Sequence, residues 1–175
     1  MTIAPWRTAG PRRRSMDRPI TDSAGLLAIA EGLAHTASTW PGMEDPSERC
    51  WRTIAVSEMF EAWVIAWPVG GSIELHDHGG STGVVVVASG SLVETSVRSY
   101  RDGSIGTVTE DLGTGEHVGF GPGYVHDMLN EGPGPALSIH VYSPALRMMN
   151  FFEADHSRGL VPVRMDEYRD GLLVL

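Results

Sequence analysis

Two histidines one residue apart, His76-Asp77-His78, are the pair in this sequence best placed to do chemistry. In an extended strand, residues two apart project from the same face, so both imidazoles can reach one metal ion while Asp77 points away. A third ligand must come from another strand. His126 is the candidate, because it follows the tight turn Gly121-Pro122-Gly123 and stands in a glycine-spaced pattern. Three neutral imidazoles leave a divalent ion its full positive charge and several open positions. An anionic, soft thiolate is then a natural incoming ligand, with O2 at a remaining position. Fe(II) suits imidazoles in facial arrangements of this kind. Zn(II) takes the same ligands but has no redox chemistry.

A second constellation lies downstream. Ser138, His140 and Tyr142 alternate along one apolar stretch, so they line one face of a strand. Beside a metal, such a row makes a hydrogen-bonded support for the reacting groups. The remaining histidines carry less. His117 and His156 read as surface residues, and the pairs Met148-Met149 and Phe151-Phe152 read as packing.

The elements that would position these residues are mostly strands. Phe60 to Trp67 has the β-branched and aromatic content of a strand buried on both faces. Gly83 to Ala88 is valine-rich, Leu92 to Tyr100 alternates, and Ala136 to Tyr142 is a further strand. Pro68-Val69-Gly70-Gly71, Ser89-Gly90 and Arg101-Asp102-Gly103 are turn signals between them. Many short strands joined by glycine-rich turns predict a mainly β sandwich or barrel. Ahead of it, Asp22 or Ser23 can cap a helix in which Leu26, Ala30, Leu33 and Ala37 recur at helical spacing, until Trp40-Pro41-Gly42 ends it. Residues 1–19, with the run Arg12-Arg13-Arg14, read as a disordered basic tail. Residues 20–175 read as one domain, with the helical segment at about 22–40 and the barrel at about 51–145.

Composition narrows the function classes. The net charge of -9 argues against a general nucleic-acid binder, which needs a cationic surface. A single cysteine, Cys50, allows no internal disulfide. No apolar run approaches the length that crosses a membrane. The expectation is a cytoplasmic monomer whose partners are small molecules, with no nucleic acid and no membrane.

The two histidine blocks stand in glycine frames. The first is Gly70-x5-His76-x-His78-x4-Gly83-x6-Gly90, and the second is Gly123-x2-His126-x3-Asn130. These resemble the two motifs of the cupin superfamily, a small β-barrel with a metal in its mouth. The usual cupin has a glutamate ligand where this chain has Gly83. Leu75-His76-Asp77-His78, Gly90-Ser91-Leu92-Val93-Glu94-Thr95 and Ser138-Ile139-His140-Val141-Tyr142-Ser143-Pro144 go further and resemble the cysteine dioxygenase (type I thiol dioxygenase) family. The overall look is that of a bacterial member.

That resemblance implies a single cupin (jelly-roll) domain holding Fe(II) on His76, His78 and His126. It implies an enzyme that oxidises L-cysteine with O2 to cysteine sulfinate. Ser138 and His140 would orient Tyr142 near substrate and O2, and Ser143-Pro144 would be cis. An arginine ahead of the metal motifs pairs with the substrate carboxylate in the family, and Cys50-Trp51-Arg52-Thr53-Ile54 resembles that segment, which assigns the role to Arg52. Animal members join a tyrosine to a cysteine that here aligns with Gly83, so the crosslink is expected to be absent. The alternatives are a dioxygenase for another small thiol such as 3-mercaptopropionate, and a non-catalytic metal-binding cupin acting as a sensor.

Overall fold

The structure is a computed structural model that describes residues 23–36, 40–100, 105–155 and 159–174. Among the described residues one helix, α1 (Ser23–Ala34), precedes twelve strands. They are β1 (Cys50–Val56), β2 (Glu61–Trp67), β3 (Ser72–His76), β4 (Thr82–Ser89), β5 (Ser91–Ser99) and β6 (Ile105–Gly113). The chain continues through β7 (His117–Phe120), β8 (His126–Leu129), β9 (Ala136–Ser143), β10 (Met148–Asp155), β11 (Gly159–Arg169) and β12 (Leu172–Val174). The strands form two antiparallel sheets, ordered β1-β2-β9-β4-β7 and β12-β11-β10-β3-β8-β5-β6. The mainly β expectation holds. The proposed tail at 1–19, the turn at Arg101-Asp102-Gly103 and His156 lie outside the described residues.

The run Glu61-Ala62-Trp63-Val64-Ile65-Ala66-Trp67 is buried throughout because β2 separates two cores. Trp63, Ile65 and Trp67 face inward, where they meet Val85, Val87 and Tyr142 of their own sheet and Ile73, Met128, Met149 and Phe151 of the other. Side chains of both sheets in one cluster mean that the sheets pack face to face. Ala62, Val64 and Ala66 face outward, against Leu26 and Ala30 of α1 together with Val84, Val86, Ile139 and Val141. The helix therefore covers the outer face of the five-stranded sheet, lying on β4 and β9. Small alanines on both partners let helix and sheet approach closely.

Asn130 locks one end of the barrel. Its Nδ2 donates to the carbonyls of Trp67, Pro68 and Gly134, and its Oδ1 accepts from Gly132 N. The turn after β2 is thus tied to the turn after β8. The Ser143–Pro144 bond is cis, as the resemblance implied.

Strand structure runs past residue 145, beyond the expected limit of the barrel. Met149 and Phe151 enter the core from β10, while β11 exposes most of its side chains and carries Pro162. A mostly solvated edge hairpin lacks the apolar density that marks an interior strand, which is why its sequence is a weak signal. No helix among the described residues is long and apolar enough to cross a membrane.

Burying a leucine side chain contributes about 1.5–3 kcal/mol, and Leu26 is fully buried between α1 and the sheet. Leu26→Ala should lower the unfolding free energy by about 2–5 kcal/mol in a urea titration. Because the outer core does not touch the histidines, metal content of the folded variant should stay at the wild-type value.

Candidate metal centre

The register of β3 with β8 sets His76 directly opposite His126, and both rings turn inward. His78 follows two residues after His76, outside the strand. Its loop is pinned by Asp77, whose Oδ1 accepts from the backbone N–H and the side-chain amide of Asn150 and from Gly79 N. Asp77 therefore points away from the histidines, as alternation required. The three imidazoles place their ligand atoms within 4.8 Å of one another.

Each ring is held by a different partner. His76 Nδ1 donates to Glu74 O at 2.8 Å, since a carbonyl can only accept, and this leaves Nε2 as the lone-pair atom. His126 Nδ1 donates to Glu94 Oε1 at 2.6 Å, and Glu94 also accepts from Tyr124 Oη at 3.2 Å. Glu94 is a carboxylate at the base of the site that sequence reasoning missed. It sits on β5 in phase with the inward Leu92 and Ser96, and a charged residue in phase with buried ones was the available signal. His78 stacks on Phe120, with the ring centres 4.2 Å apart and the planes at 19°.

Buried polar atoms in folded proteins are nearly always paired. Here His78 Nδ1, His78 Nε2 and His126 Nε2 are buried without a partner. Burial holds the pKa of His76 and of His78 well below that of free histidine, with the neighbouring histidines adding to the effect. Neutral imidazoles with unshared lone pairs converging on one point are the donor set a divalent transition metal takes. The residues fit a metal.

Gly83 explains what replaces the usual glutamate. It pairs with Tyr142 on one side and Phe120 on the other. A Cβ there would run into the Phe120 ring and would lie 2.9 Å from Val141 O. The ring that packs against His78 thus occupies the space of the missing side chain. Cys50 lies in the outer core with its Sγ 4.0 Å from Met43 Sδ, so it is no counterpart for a tyrosine crosslink.

The other sheet supplies the row on β9. Trp67 Nε1 donates to Ser138 Oγ at 2.8 Å, Ser138 Oγ meets His140 Nε2 at 2.9 Å, and His140 Nδ1 meets Tyr142 Oη at 3.2 Å. The indole can only donate. The buried Ser138 hydroxyl finds a place for its proton only on His140 Nε2 among the described residues, so His140 carries its own proton on Nδ1 and donates it to Tyr142. The tyrosine proton is then left to point into the pocket. Burial, with smaller contributions from His126 and Arg49, lowers the His140 pKa to about 3, and burial raises that of Tyr142. Both stay neutral at physiological pH.

Arg52 does not reach this pocket. It pairs in register with Val64, an outward residue of β2, and its exposed guanidinium donates to Pro41 O at 3.0 Å. The pocket arginine is Arg49. Trp51 pairs with the inward Ile65, and Arg49, two residues earlier, shares that phase. The guanidinium carbon of Arg49 lies 5.5 Å from the Trp51 ring centre and 5.6 Å from that of Trp67. Among the described residues no carboxylate pairs with it. Desolvation lowers its pKa. It lines one cavity with Trp63, His76, His140, Tyr142 and Tyr168. His117 is exposed, as expected.

Two expected outcomes follow from these hydrogen bonds. Glu94→Gln should weaken metal affinity by about 10–100-fold, measured by chelator competition, because the partner that orients His126 loses its charge. The His140 ring, in 15N spectra of Zn(II)-loaded protein, should be neutral and protonated on Nδ1 at pH 5. A group neutral in the fold but protonated when unfolded removes stability as pH falls from about 6.5 towards about 3, by roughly 1.4 kcal/mol per pH unit. A cationic ring at pH 5 would refute the assigned direction of the row.

Comparisons with known proteins give several similar chains. Over 85 residues the chain is 34% identical to germin-like protein subfamily 3 member 3 of Arabidopsis thaliana, a match that covers 47% of this chain and 38% of that protein. The chain thus spans well under half the length of that relative. A structure of oxalate oxidase in complex with the substrate analogue glycolate aligns at a TM-score of 0.50 and 16% identity, over 76% of this chain and 63% of the other. The structure of TT1209 from Thermus thermophilus aligns at a TM-score of 0.46 and 24% identity, over 58% of this chain and 89% of the other. The oxalate oxidase alignment speaks for the fold alone, a single cupin-type barrel. Residues 16–155 match the family described as cysteine dioxygenase type I. That stretch contains Arg49, the three clustered histidines and the β9 row, and the chain belongs to that family.

Proposed function

We propose that the protein is an Fe(II)-dependent thiol dioxygenase that converts L-cysteine and O2 to cysteine sulfinate. The observation that carries this reading is a half-buried guanidinium, Arg49, with no carboxylate partner among the described residues, in a cavity it shares with His76 of the three-histidine cluster and with Tyr142. A cation without a carboxylate partner, walled by indole rings, is the receptor for a carboxylate that arrives with the substrate.

One thiol and one O2 make one sulfinic acid, with both oxygen atoms ending on sulfur, so no external reductant is required. Iron held by His76, His78 and His126 supplies a redox-active centre with open positions for a thiolate and O2. The chain's own residues do the rest. Arg49 holds the carboxylate with parallel N–H donors, which fixes the thiol end relative to the histidines. Tyr142, whose phenol proton is directed into the pocket by His140 and Ser138, offers a hydrogen bond to oxygen atoms gathering at sulfur. Trp51, Trp63 and Trp67 exclude water; the Trp63 indole is itself anchored by Glu61 Oε1 at 2.9 Å.

Oxygen uptake and sulfinate formation by iron-loaded protein, run against cysteine, cysteamine and 3-mercaptopropionate, test the reading. Cysteine should be preferred. Arg49→Ala should lower kcat/KM for cysteine by about one to three powers of ten, as when a charge-assisted hydrogen bond and its positioning are lost. Cysteamine, which lacks the carboxylate, should be poor with wild type and little changed by the substitution. Arg52→Ala should behave as wild type with every thiol. An equal fall for cysteine and cysteamine in Arg49→Ala would remove Arg49 from substrate binding.

A further inference from the structure

One wall of the pocket lies beyond the stretch that matches the family. Tyr168 stands near the end of β11, past residue 155 where the match ends. Its neighbours Glu167 and Arg169 are exposed, whereas Tyr168 is 8% exposed. Its ring lies 5.3 Å from that of Trp63 and 6.5 Å from that of Trp51, and it lines the cavity beside Arg49. Its ring contacts are thus with the indoles at the arginine end, and the rings packed on His76 and His78 are others, Phe151, Phe120 and Tyr142.

Two backbone anchors hold the strand down. Tyr168 N donates to Arg147 O at 2.8 Å, and Trp51 Nε1 donates to Gly171 O at 3.1 Å. Gly171, at φ 73°, sits so close to β1 and β2 that a Cβ would collide with Thr53 Oγ1 and lie 2.8 Å from Glu61 Oε1. The β11–β12 turn is therefore pressed onto the first sheet, and Tyr168 is the side chain it delivers inward.

The space left inside is about 10 Å³, room for about one water molecule. A larger ligand meets the walls of this space. Trp63, Trp67, His140 and Tyr142 stand on β2 and β9, each paired on both sides in the five-stranded sheet. Tyr168 comes from the other sheet, and the two anchors hold its ring beside Arg49, so it is the wall that a ligand extending past Arg49 would meet.

We propose that Tyr168 sets the length of the thiol this site accepts, its ring closing the cavity just past Arg49 so that a compact thiol carboxylate fits and one extended beyond its carboxyl carbon does not. This rests on the reading of the site as a thiol dioxygenase with Arg49 as the carboxylate's partner. Steric exclusion of this kind is a property of the ring, so phenylalanine should replace tyrosine at little cost, and alanine should not.

The test compares cysteine with cysteinylglycine, which keeps thiol and amine and adds one residue at the carboxyl end. Wild type and Tyr168→Phe should strongly favour cysteine. Tyr168→Ala should shift the ratio of the two kcat/KM values towards the dipeptide by about tenfold or more, the discrimination that a filled pocket provides. Zn(II)-loaded protein, which turns nothing over, gives a second readout. Cysteine should raise the melting temperature of wild type while cysteinylglycine does not, and both should raise it in Tyr168→Ala. Tyr168→Leu takes the place of the alanine variant if the latter does not fold. An unchanged ratio and unchanged melting pattern in a folded Ala or Leu variant would overturn the proposal, as would a Phe variant as relaxed as Ala. If wild type oxidises no thiol, the dioxygenase reading fails on its own, and the melting series still decides the role of Tyr168.

Discussion

The pairing of β3 with β8 is the constraint on which the site depends. It puts His76 opposite His126, and a slip of one residue would turn one of the two imidazoles out of the barrel. The register is held by the inward set that accompanies them, Ile73 and Met128, and by Asn130, which joins the turns at the end of the two strands. Ile73 and His76 are three residues apart and still both face inward, because the register of β3 shifts between them, so the inner core and the metal ligands meet through that irregularity.

From that constraint follows a division of labour between the sheets. The seven-stranded sheet contributes His76 and His126, with His78 from the loop that leaves it, and Glu94 on β5 behind His126. The five-stranded sheet faces them with Trp63, Trp67, His140 and Tyr142. Every polar group in the row from Trp67 to Tyr142 gives its hydrogen bond to the next, so the row has one direction and ends on a phenol proton aimed at the cavity. Among the described residues, the buried side-chain atoms without a partner are the ring nitrogens of His78, His126 Nε2 and Thr53 Oγ1. Three of these four atoms are ones that a metal would use.

The absence of a carboxylate ligand at Gly83 is compensated by shape and by a charge one step removed. Phe120 fills the space over Gly83 and stacks on His78, which restricts that ring without a hydrogen bond. Glu94 places its charge on the far side of His126. A metal here would keep open the position a direct carboxylate would occupy, while one of its imidazoles is still held in place by a carboxylate.

The sequence by itself determined the mainly β fold, the three metal-facing histidines and the order of the Ser138, His140 and Tyr142 row. The β9 row is alternation within one strand, while the histidines are legible from their spacing in glycine frames, His78 lying just past the end of β3. The sequence also pointed to Asp77 facing away and to a crosslink-free Gly83. Only the tertiary structure decided which arginine enters the pocket. Arg49 and Arg52 lie on opposite faces of the same segment, and the choice depends on which face β2 covers with Trp63 and Ile65 and which α1 covers with Leu26 and Ala30. Glu94 behind His126 and Tyr168 beside Arg49 needed the same information, since each meets its partner across strands 32 to more than a hundred residues apart in the chain. Alternation assigns a residue to one of two faces. Which face becomes the inside is settled by what packs against it, and that is a property of the whole barrel.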